Sequence, residues 1–304
     1  MFVKLEFETL MLCVKLKPNF LPYLAHCLLV SGLLFFTSSC QWVNNGTGGG
    51  NSNSAPEQTN SLPAPESAHL LLGNPSNAVS DPNNRDNYLL LKSTFAISYN
   101  NSRGTANWVA WKTTISDLGD SIERPEFRPD QSLPKRFVRV NATDYTRSGY
   151  QRGHLVPSAD RFSDAAANLE TLMMTNIVPQ TGDLNQFPWA KFESYVRFNV
   201  RRNSDVYQIA GVYGDKERIR KKVTAPTNCW KIVLILPAGS DVANIDRETR
   251  IIAIDMPNSI GIAKDRWQKH KTTVRSIEQK TGYNFLSRLP GELQEVLENR
   301  IDGR

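Results

Sequence analysis

The sequence predicts an α+β fold, a single domain built on a central and mostly antiparallel sheet. Strand-length apolar segments and helix-length amphipathic segments follow one another irregularly, without the strand–helix–strand repeats of a doubly wound sheet. The chain has 304 residues, of which 40% are hydrophobic, so it can bury one substantial core.

The strands are predicted from alternation and from continuous apolar runs. Phe95, Ile97 and Tyr99 occupy alternate positions, and a loop over 100–105 turns this strand towards 107–111. Further strands are predicted at 206–213, 231–236 and 250–254, the last two largely buried. Helices are predicted at 163–173, 188–199, 272–281 and 292–300.

Residues 1–40 have the pattern of a secretory signal. Lys15 and Lys17 precede an apolar stretch over 20–36, and small residues separate this stretch from Cys40. A membrane-spanning helix is the weaker alternative, because a proline and a histidine interrupt the stretch. The serines before Cys40 also resemble a lipoprotein cleavage site. We therefore expect an exported protein, periplasmic or extracellular, and membrane attachment by lipid at Cys40 stays open.

A flexible tether is predicted to follow the signal. Residues 41–66 are rich in Asn, Gly, Ser and Pro, and cannot bury enough apolar surface to offset their chain entropy. Residues 67–304 are then expected to form the folded domain. Three of the four cysteines precede that domain, which leaves Cys229 and predicts no structural disulfide.

The segment around His154 contains the first candidate site residues. Arg152 lies two positions before His154, so both side chains lie on one side of an extended strand and can address one phosphate. Gly153 between them permits close approach of the backbone to a ligand. Most isolated histidines are structural or simply exposed, and this alternative remains for His154 taken alone.

A second set of candidates follows 31 residues later, beginning with Asn185. A helix starting near Pro188 would place Glu193 and Arg197 one turn apart on one face. Taken alone, this pair could be an exposed ion pair, and Asn185 could be a helix cap. Together with His154, however, these residues supply the groups needed to hydrolyse a phosphodiester with one hard metal ion. A net charge of +6 suits a polyanionic substrate.

These residues resemble those of a known family, the DNA/RNA non-specific endonucleases related to endonuclease G, and similarity is greatest to the cyanobacterial secreted type. The resemblance covers roughly residues 68–290. It includes the motifs Arg-Gly-His-Leu-Val-Pro at 152–157, Thr-Asn-Ile-Val-Pro-Gln at 175–180, Cys-Trp-Lys-Ile-Val at 229–233 and Lys-Thr-Gly at 280–282, together with Asn185, Trp189, Glu193 and Arg197.

The resemblance implies a ββα-metal active site and a role for each matching residue. His154 would be the general base, Asn185 the direct protein ligand of Mg²⁺ or Mn²⁺, and Glu193 the residue that holds the metal's water cluster. Arg124 would stabilise the transition state. The remaining implied roles are phosphate binding by Arg152 and Arg197, and support of the site by Asn176.

One position departs from the family pattern. Gln151 stands where the family usually has aspartate, so a hydrogen-bond acceptor remains but a charge is lost. This change could shift the metal preference or the pH optimum.

The expected reaction is hydrolysis of DNA and RNA to 5′-phosphate ends with little sequence preference, because contacts to phosphate and sugar do not specify a base. A cell that makes such an enzyme needs export or a protein inhibitor to protect its own genome. The alternatives are a non-catalytic nucleic-acid-binding protein, a surface-anchored adhesion lipoprotein and a phosphodiesterase for small substrates.

Overall fold

The computed structural model describes residues 66–120 and 125–304. Within them lie eleven strands: β1 (Tyr88–Leu91), β2 (Ala96–Asn100), β3 (Thr105–Thr113), β4 (Gln151–His154), β5 (Ile177–Gln180), β6 (Ser204–Tyr213), β7 (Glu217–Ile219), β8 (Val223–Ala225), β9 (Asn228–Pro237), β10 (Arg250–Pro257) and β11 (Lys271–Thr272). The same residues form the α-helices α1 (Ala165–Thr171), α2 (Gly182–Leu184), α3 (Ala190–Arg201), α4 (Val274–Thr281) and α5 (Gly291–Glu298). The predicted signal, all but the last residue of the predicted tether, and Arg124 lie outside the described residues.

Seven strands form one sheet in the order β1-β2-β3-β6-β9-β10-β11. Every neighbouring pair in this sheet is antiparallel. Its middle is the pairing of β6 with β9, in which Ser204 lies opposite Pro237 and Tyr213 lies opposite Asn228. The prediction of a central, mostly antiparallel sheet is confirmed, and the sheet contains all of the strands predicted from alternation and apolar runs.

The central sheet is buried on both faces, because its strands send alternate side chains into two apolar layers. From β3, Val109 and Trp111 enter one layer, which also holds Trp189 and residues of α3. Trp108 enters the opposite layer, together with residues of α4 and α5. Burial on two sides explains why β9 and β10 have nearly continuous apolar sequences.

A smaller unit of two strands and a helical segment lies between β3 and β6 in the sequence and contains the candidate residues. β4 pairs antiparallel with β5, with Gln151 opposite Gln180 and His154 opposite Ile177. The chain then becomes helical through α2, a π turn over Asn185–Trp189, and α3. Two short strands followed by a helix are the ββα arrangement that the family resemblance implies.

The predicted start of this helical segment is wrong by six residues. The helix at 188–199 was expected to begin near Pro188, but the chain turns helical at Gly182, where the Thr181 side chain accepts a hydrogen bond from the Leu184 amide at 3.3 Å. Pro188 lies inside the π turn. Proline has no N–H to donate and disrupts regular α-helical bonding, and here it coincides with the wider π turn.

The other predicted helices exist, and their bounds differ from the predicted ones by at most two residues. α1 begins at Ala165 because Asp164 caps it, accepting from the Ala167 amide. α4 begins after Thr273 for the same reason, and it ends at the predicted Gly282, whose φ of 73° suits glycine. In the two described stretches of chain, none of the helices is both long and apolar enough to cross a membrane.

A buried pair of carboxylates joins α4 to α5 and makes the stability of the domain depend on pH. Glu298 of α5 is fully buried beside Glu278, and Arg275 contacts both carboxylates, at 2.7 Å and 2.6 Å respectively. Burial, and then the negative charge of Glu278, raise the pKa of Glu298 from 4.5 to about 7. Because the folded state holds this proton more tightly, stability falls as the pH rises from about 4.5 to above 7.

Replacing Glu298 with glutamine should therefore stabilise the protein at alkaline pH. We expect Glu298→Gln to raise the free energy of unfolding at pH 8 by about 1–3 kcal/mol and to have little effect at pH 4. Urea unfolding at both pH values measures this. Glu292→Gln, at an exposed position of α5, is the matched control. An equal effect of Glu298→Gln at both pH values would contradict the assignment.

Candidate active site

Four residues predicted for the site line one cavity of about 190 Å³: His154, Asn185, Glu193 and Arg197. His154 is the last residue of β4, and Asn185 is the first residue of the π turn. Glu193 and Arg197 lie one turn apart on α3. The rest of the lining is Pro157, Ser158, Ala159 and Phe162. The ββα unit thus gathers residues from 154 to 197 around one space.

Arg152 lies on the same side of β4 as His154, and both side chains pack against the ring of Phe127. The Phe127 ring centroid is 5.3 Å from that of His154 and 5.5 Å from the Arg152 guanidinium carbon. Nε and Nη2 of Arg152 both donate to the Ala142 carbonyl, at 3.1 Å and 3.0 Å. The guanidinium is therefore held beside the cavity and is not among its lining residues.

Gly153 faces the opposite side of β4, towards the interior. A Cβ at this position would lie 2.1 Å from Oε1 of Gln180, a fully buried residue on the neighbouring strand. Packing within the ββα unit thus requires glycine at this position, and close approach of its backbone to a ligand stays a prediction.

The Asn185 side chain bonds to Gln151 and takes no part in capping the helix. Asn185 Nδ2 donates to Gln151 Oε1 at 2.8 Å, whereas the cap of the helical segment is Thr181. Gln151, the residue that departs from the family pattern, therefore orients the amide of the predicted metal ligand through its acceptor oxygen.

Glu193 is paired with a lysine that comes from the central sheet. Lys231 of β9 is fully buried, and its Nζ lies 3.5 Å from Glu193 Oε1. Burial raises the pKa of the Glu193 carboxyl, and the positive charges of Lys231 and Arg197 oppose that rise. Burial also lowers the pKa of Lys231, opposed by the negative charges of Glu193 and Asp160.

Arg197 is held by a second buried carboxylate, Asp160. Arg197 Nη1 donates to Asp160 Oδ1 at 3.0 Å. The other oxygen, Oδ2, accepts from Trp111 Nε1 at 3.2 Å, from Thr113 Oγ1 at 3.3 Å and from Gln208 Nε2 at 3.2 Å. Because Asp160 is fixed from several sides, it fixes the guanidinium of Arg197 at the edge of the cavity.

Asn176 lies fully buried behind the site and bonds only to backbone groups of the described residues. Its Oδ1 accepts from the Val156 amide at 2.9 Å, and its Nδ2 donates to the carbonyls of Val156 and Thr171, at 3.0 Å and 2.9 Å. These bonds hold the chain two residues beyond His154.

Two charged residues of this site, Asp160 and Lys231, were not predicted as site residues. Lys231 is one charge within the apolar run 229–236, and a lone charge in a buried strand needs a partner, so a signal was present. Asp160 follows the His154 motif in a turn, and no comparable signal marks it. Arg124, the remaining predicted site residue, lies outside the described residues.

Comparisons with known proteins point to one family. Residues 72–292 match the family model described as DNA/RNA non-specific endonuclease. A nuclease of Nostoc sp. (strain PCC 7120) is 44% identical over 238 residues, covering 78% of this chain and 86% of the relative. A nuclease of Syncephalastrum racemosum is 30% identical, covering 77% and 76% of the two chains.

Among solved structures, the fold matches a chain in the crystal structure of an EndoG/EndoGI complex with a TM-score of 0.61. The identity is 22%, and the match covers 73% of this chain and 91% of that one, which shows a shared fold. With the family model matched over most of the folded region, this chain belongs to the DNA/RNA non-specific endonucleases, and it is a nuclease that hydrolyses nucleic acids.

Proposed function

We propose that the cavity between β4 and α3 is the active site, in which a single hydrated Mg²⁺-type ion and a histidine base hydrolyse phosphodiester bonds of DNA and RNA. The observation that carries this proposal is the convergence of His154, Asn185, Glu193 and Arg197 on one cavity. An imidazole, an amide, a carboxylate and a guanidinium are the groups that such a reaction needs.

The donor set fits a hard, hydrated cation. Asn185 offers one neutral oxygen and Glu193 one carboxylate, and Mg²⁺ in proteins keeps several waters. A water occupies about 30 Å³, so the cavity of about 190 Å³ can hold a partly hydrated ion. Over residues 66–120 and 125–304, no group of three or more His, Cys, Asp or Glu side chains could hold a metal ion.

Asn185 would hold the ion directly, and Glu193 would hold the waters around it. When bound, the ion would polarise a phosphate oxygen and stabilise negative charge near the leaving oxygen. The hydrogen bond from Asn185 to Gln151 sets the orientation of the Asn185 amide, so Gln151 would support the metal ligand without binding the metal itself.

His154 would remove a proton from the attacking water. Packing against Phe127 restricts its ring, and its position at the end of β4 places it on the cavity wall. Attack by water needs no ribose 2′-hydroxyl, so the same residues serve DNA and RNA. The products would carry a 5′-phosphate and a 3′-hydroxyl.

The arginines would act on the phosphate in different ways. Arg197 lines the cavity and would contact a phosphate oxygen in the orientation that Asp160 imposes. Arg152, bonded to the Ala142 carbonyl, would contribute mainly through its positive field. Transition-state stabilisation by Arg124 stays a prediction.

Digestion of plasmid DNA and of unstructured RNA by purified residues 41–304 tests the proposal. We expect both substrates to be cut with Mg²⁺ and neither to be cut with EDTA, and the ends to carry 5′-phosphate. Cleavage that EDTA does not affect would refute the metal assignment. Cleavage of small phosphodiesters without cleavage of polynucleotides would favour the alternative phosphodiesterase activity.

Gln151 gives a sharper test, because it departs from the family pattern. We expect Gln151→Leu, which removes the acceptor for Asn185, to reduce kcat/KM by about 10- to 100-fold at limiting Mg²⁺ and by less at high Mg²⁺. Gln151→Glu keeps an acceptor oxygen and is the matched control. If the leucine variant had the Mg²⁺ dependence of the unchanged enzyme, Gln151 would not be an outer partner of the metal site.

Export is proposed on the sequence pattern of residues 1–40, with lipid at Cys40 as the alternative to release. The EndoG protein of the solved complex is bound by an inhibitor, and a similar protein partner is the other route by which a cell could restrain this enzyme. Fractionation of cells producing the full chain and a Cys40→Ala variant separates the cases. Lipid anchoring predicts membrane association that the variant loses.

A further inference from the structure

The Lys231 side chain is an unusual feature of the central sheet. It is fully buried in the middle of β9, within an otherwise apolar run. Its Nζ lies 5.1 Å from the centroid of the Trp111 ring and 4.7 Å from that of the Trp189 ring. An ammonium between two indole faces gains cation–π attraction, which is stronger where water is excluded.

The same ammonium reaches both halves of the ββα unit. It donates to the carbonyl of Leu155, the residue after His154, at 3.4 Å, and to Glu193 Oε1 of α3 at 3.5 Å. One buried cation therefore contacts the residue that follows the proposed base and a carboxylate that lines the cavity. A buried charge is retained at considerable cost unless it is paired, and this one is paired with a cavity residue.

We propose that Lys231 is a positioning residue, whose ammonium fixes the Glu193 carboxylate in the orientation that holds the hydrated cation and sets α3 against the His154 strand. The inference rests on the proposed function. Lys231 does not line the cavity, so it acts through Glu193 and is not itself a catalytic residue.

Two properties of the surroundings favour this role over simple core packing. A methionine would fill the space between two tryptophans without requiring a partner, yet the chain places a charge there. In addition, Arg197 is hydrogen-bonded to Asp160, whereas the Lys231 ammonium lies within 3.5 Å of the Glu193 carboxylate.

A double-mutant cycle tests the proposal. It compares the wild-type enzyme, Lys231→Met, Glu193→Gln and the variant that combines both substitutions. Mn²⁺ affinity is measured by electron paramagnetic resonance without nucleic acid, and kcat and KM are measured separately. We expect Lys231→Met to weaken Mn²⁺ binding by about 10-fold or more in the unchanged background, as loss of an outer-shell partner does. In the Glu193→Gln background the same change should have almost no effect, because the carboxylate that Lys231 positions is already absent.

The kinetic expectation is a fall in kcat with KM nearly unchanged, since Lys231 touches no substrate. Unchanged Mn²⁺ affinity in Lys231→Met, or an equal loss in both backgrounds, would overturn the proposal and leave Lys231 as a packing residue. Failure of the unchanged enzyme to bind Mn²⁺ would instead overturn the proposed function, and this inference with it.

If Lys231→Met does not fold, two variants that keep the charge balance replace it. The double variant leaves no unpaired charge and is expected to fold, and Lys231→Arg keeps the cation. Retention of Mn²⁺ affinity by Lys231→Arg, well above that of the double variant, supports the proposal. Equal affinity of these two proteins overturns it.

Discussion

Replacing His154 with alanine is expected to lower kcat on DNA and on RNA by about 10²-fold or more, because a general base contributes at least that factor. The melting temperature should change little. His154 is only partly buried, and the remaining wall of the cavity belongs to the π turn, α3 and the segment after β4. Initial rates on both polymers, with thermal unfolding of the same samples, measure the two effects.

His69→Ala is the matched control, because the His69 side chain bonds to the Ser93 carbonyl, away from the cavity. Added imidazole should restore part of the activity of His154→Ala, since it can occupy the space that the missing ring leaves. Near-normal turnover by His154→Ala, with a folded protein, would exclude His154 as the base.

Replacing Asn185 with alanine is expected to have the second large effect. It removes the amide oxygen proposed to bind the cation and also the donor to Gln151. We expect half-maximal activity to require about 10- to 100-fold more Mg²⁺, a range that loss of an outer partner already reaches. Titration of activity with Mg²⁺, and of the protein with Mn²⁺, measures the shift.

Gln186→Ala is the control for this change, because Gln186 is the exposed next residue of the same π turn. Asn185→Asp retains an oxygen at the same position and should lose less affinity than the alanine variant. An Asn185→Ala enzyme with an unaltered Mg²⁺ requirement would show that the cation is held elsewhere.

The central strands could be predicted because burial on both faces leaves a plain signal. β9 and β10 are apolar almost throughout, and such runs bounded by turn residues indicate strands. The start of the helical segment that includes α3 was predicted six residues too late. Proline usually marks the first turn of a helix, and nothing in the sequence near Pro188 reveals a π turn. Short strands such as β7 and β11 depend on tertiary contacts, and their sequences show little alternation.

The cavity residues could be predicted because they lie close together along the chain in a recognisable pattern. Lys231 is different, since its partner Glu193 is 38 residues earlier in the sequence and on another element. Spacing within one strand cannot reveal a contact that forms only when the sheet packs on α3. Asp160 was missed for the same reason, since its partners come from β3, β6 and α3.

The π turn has a consequence for the rotational phase of the helical segment. Asn185 and Glu193 are eight residues apart, and in a regular α-helix, at about 100° per residue, they would point about 80° away from each other. A π turn accommodates one additional residue, which reduces the angle to about 20°. The π turn thus aligns the amide of Asn185 with the carboxylate of Glu193 across a spacing of eight residues, and converting it to a regular α-helix without removing a residue would rotate the two side chains about 80° apart. Deleting Gln186 would instead leave a spacing of seven residues, at which a regular helix keeps them about 20° apart.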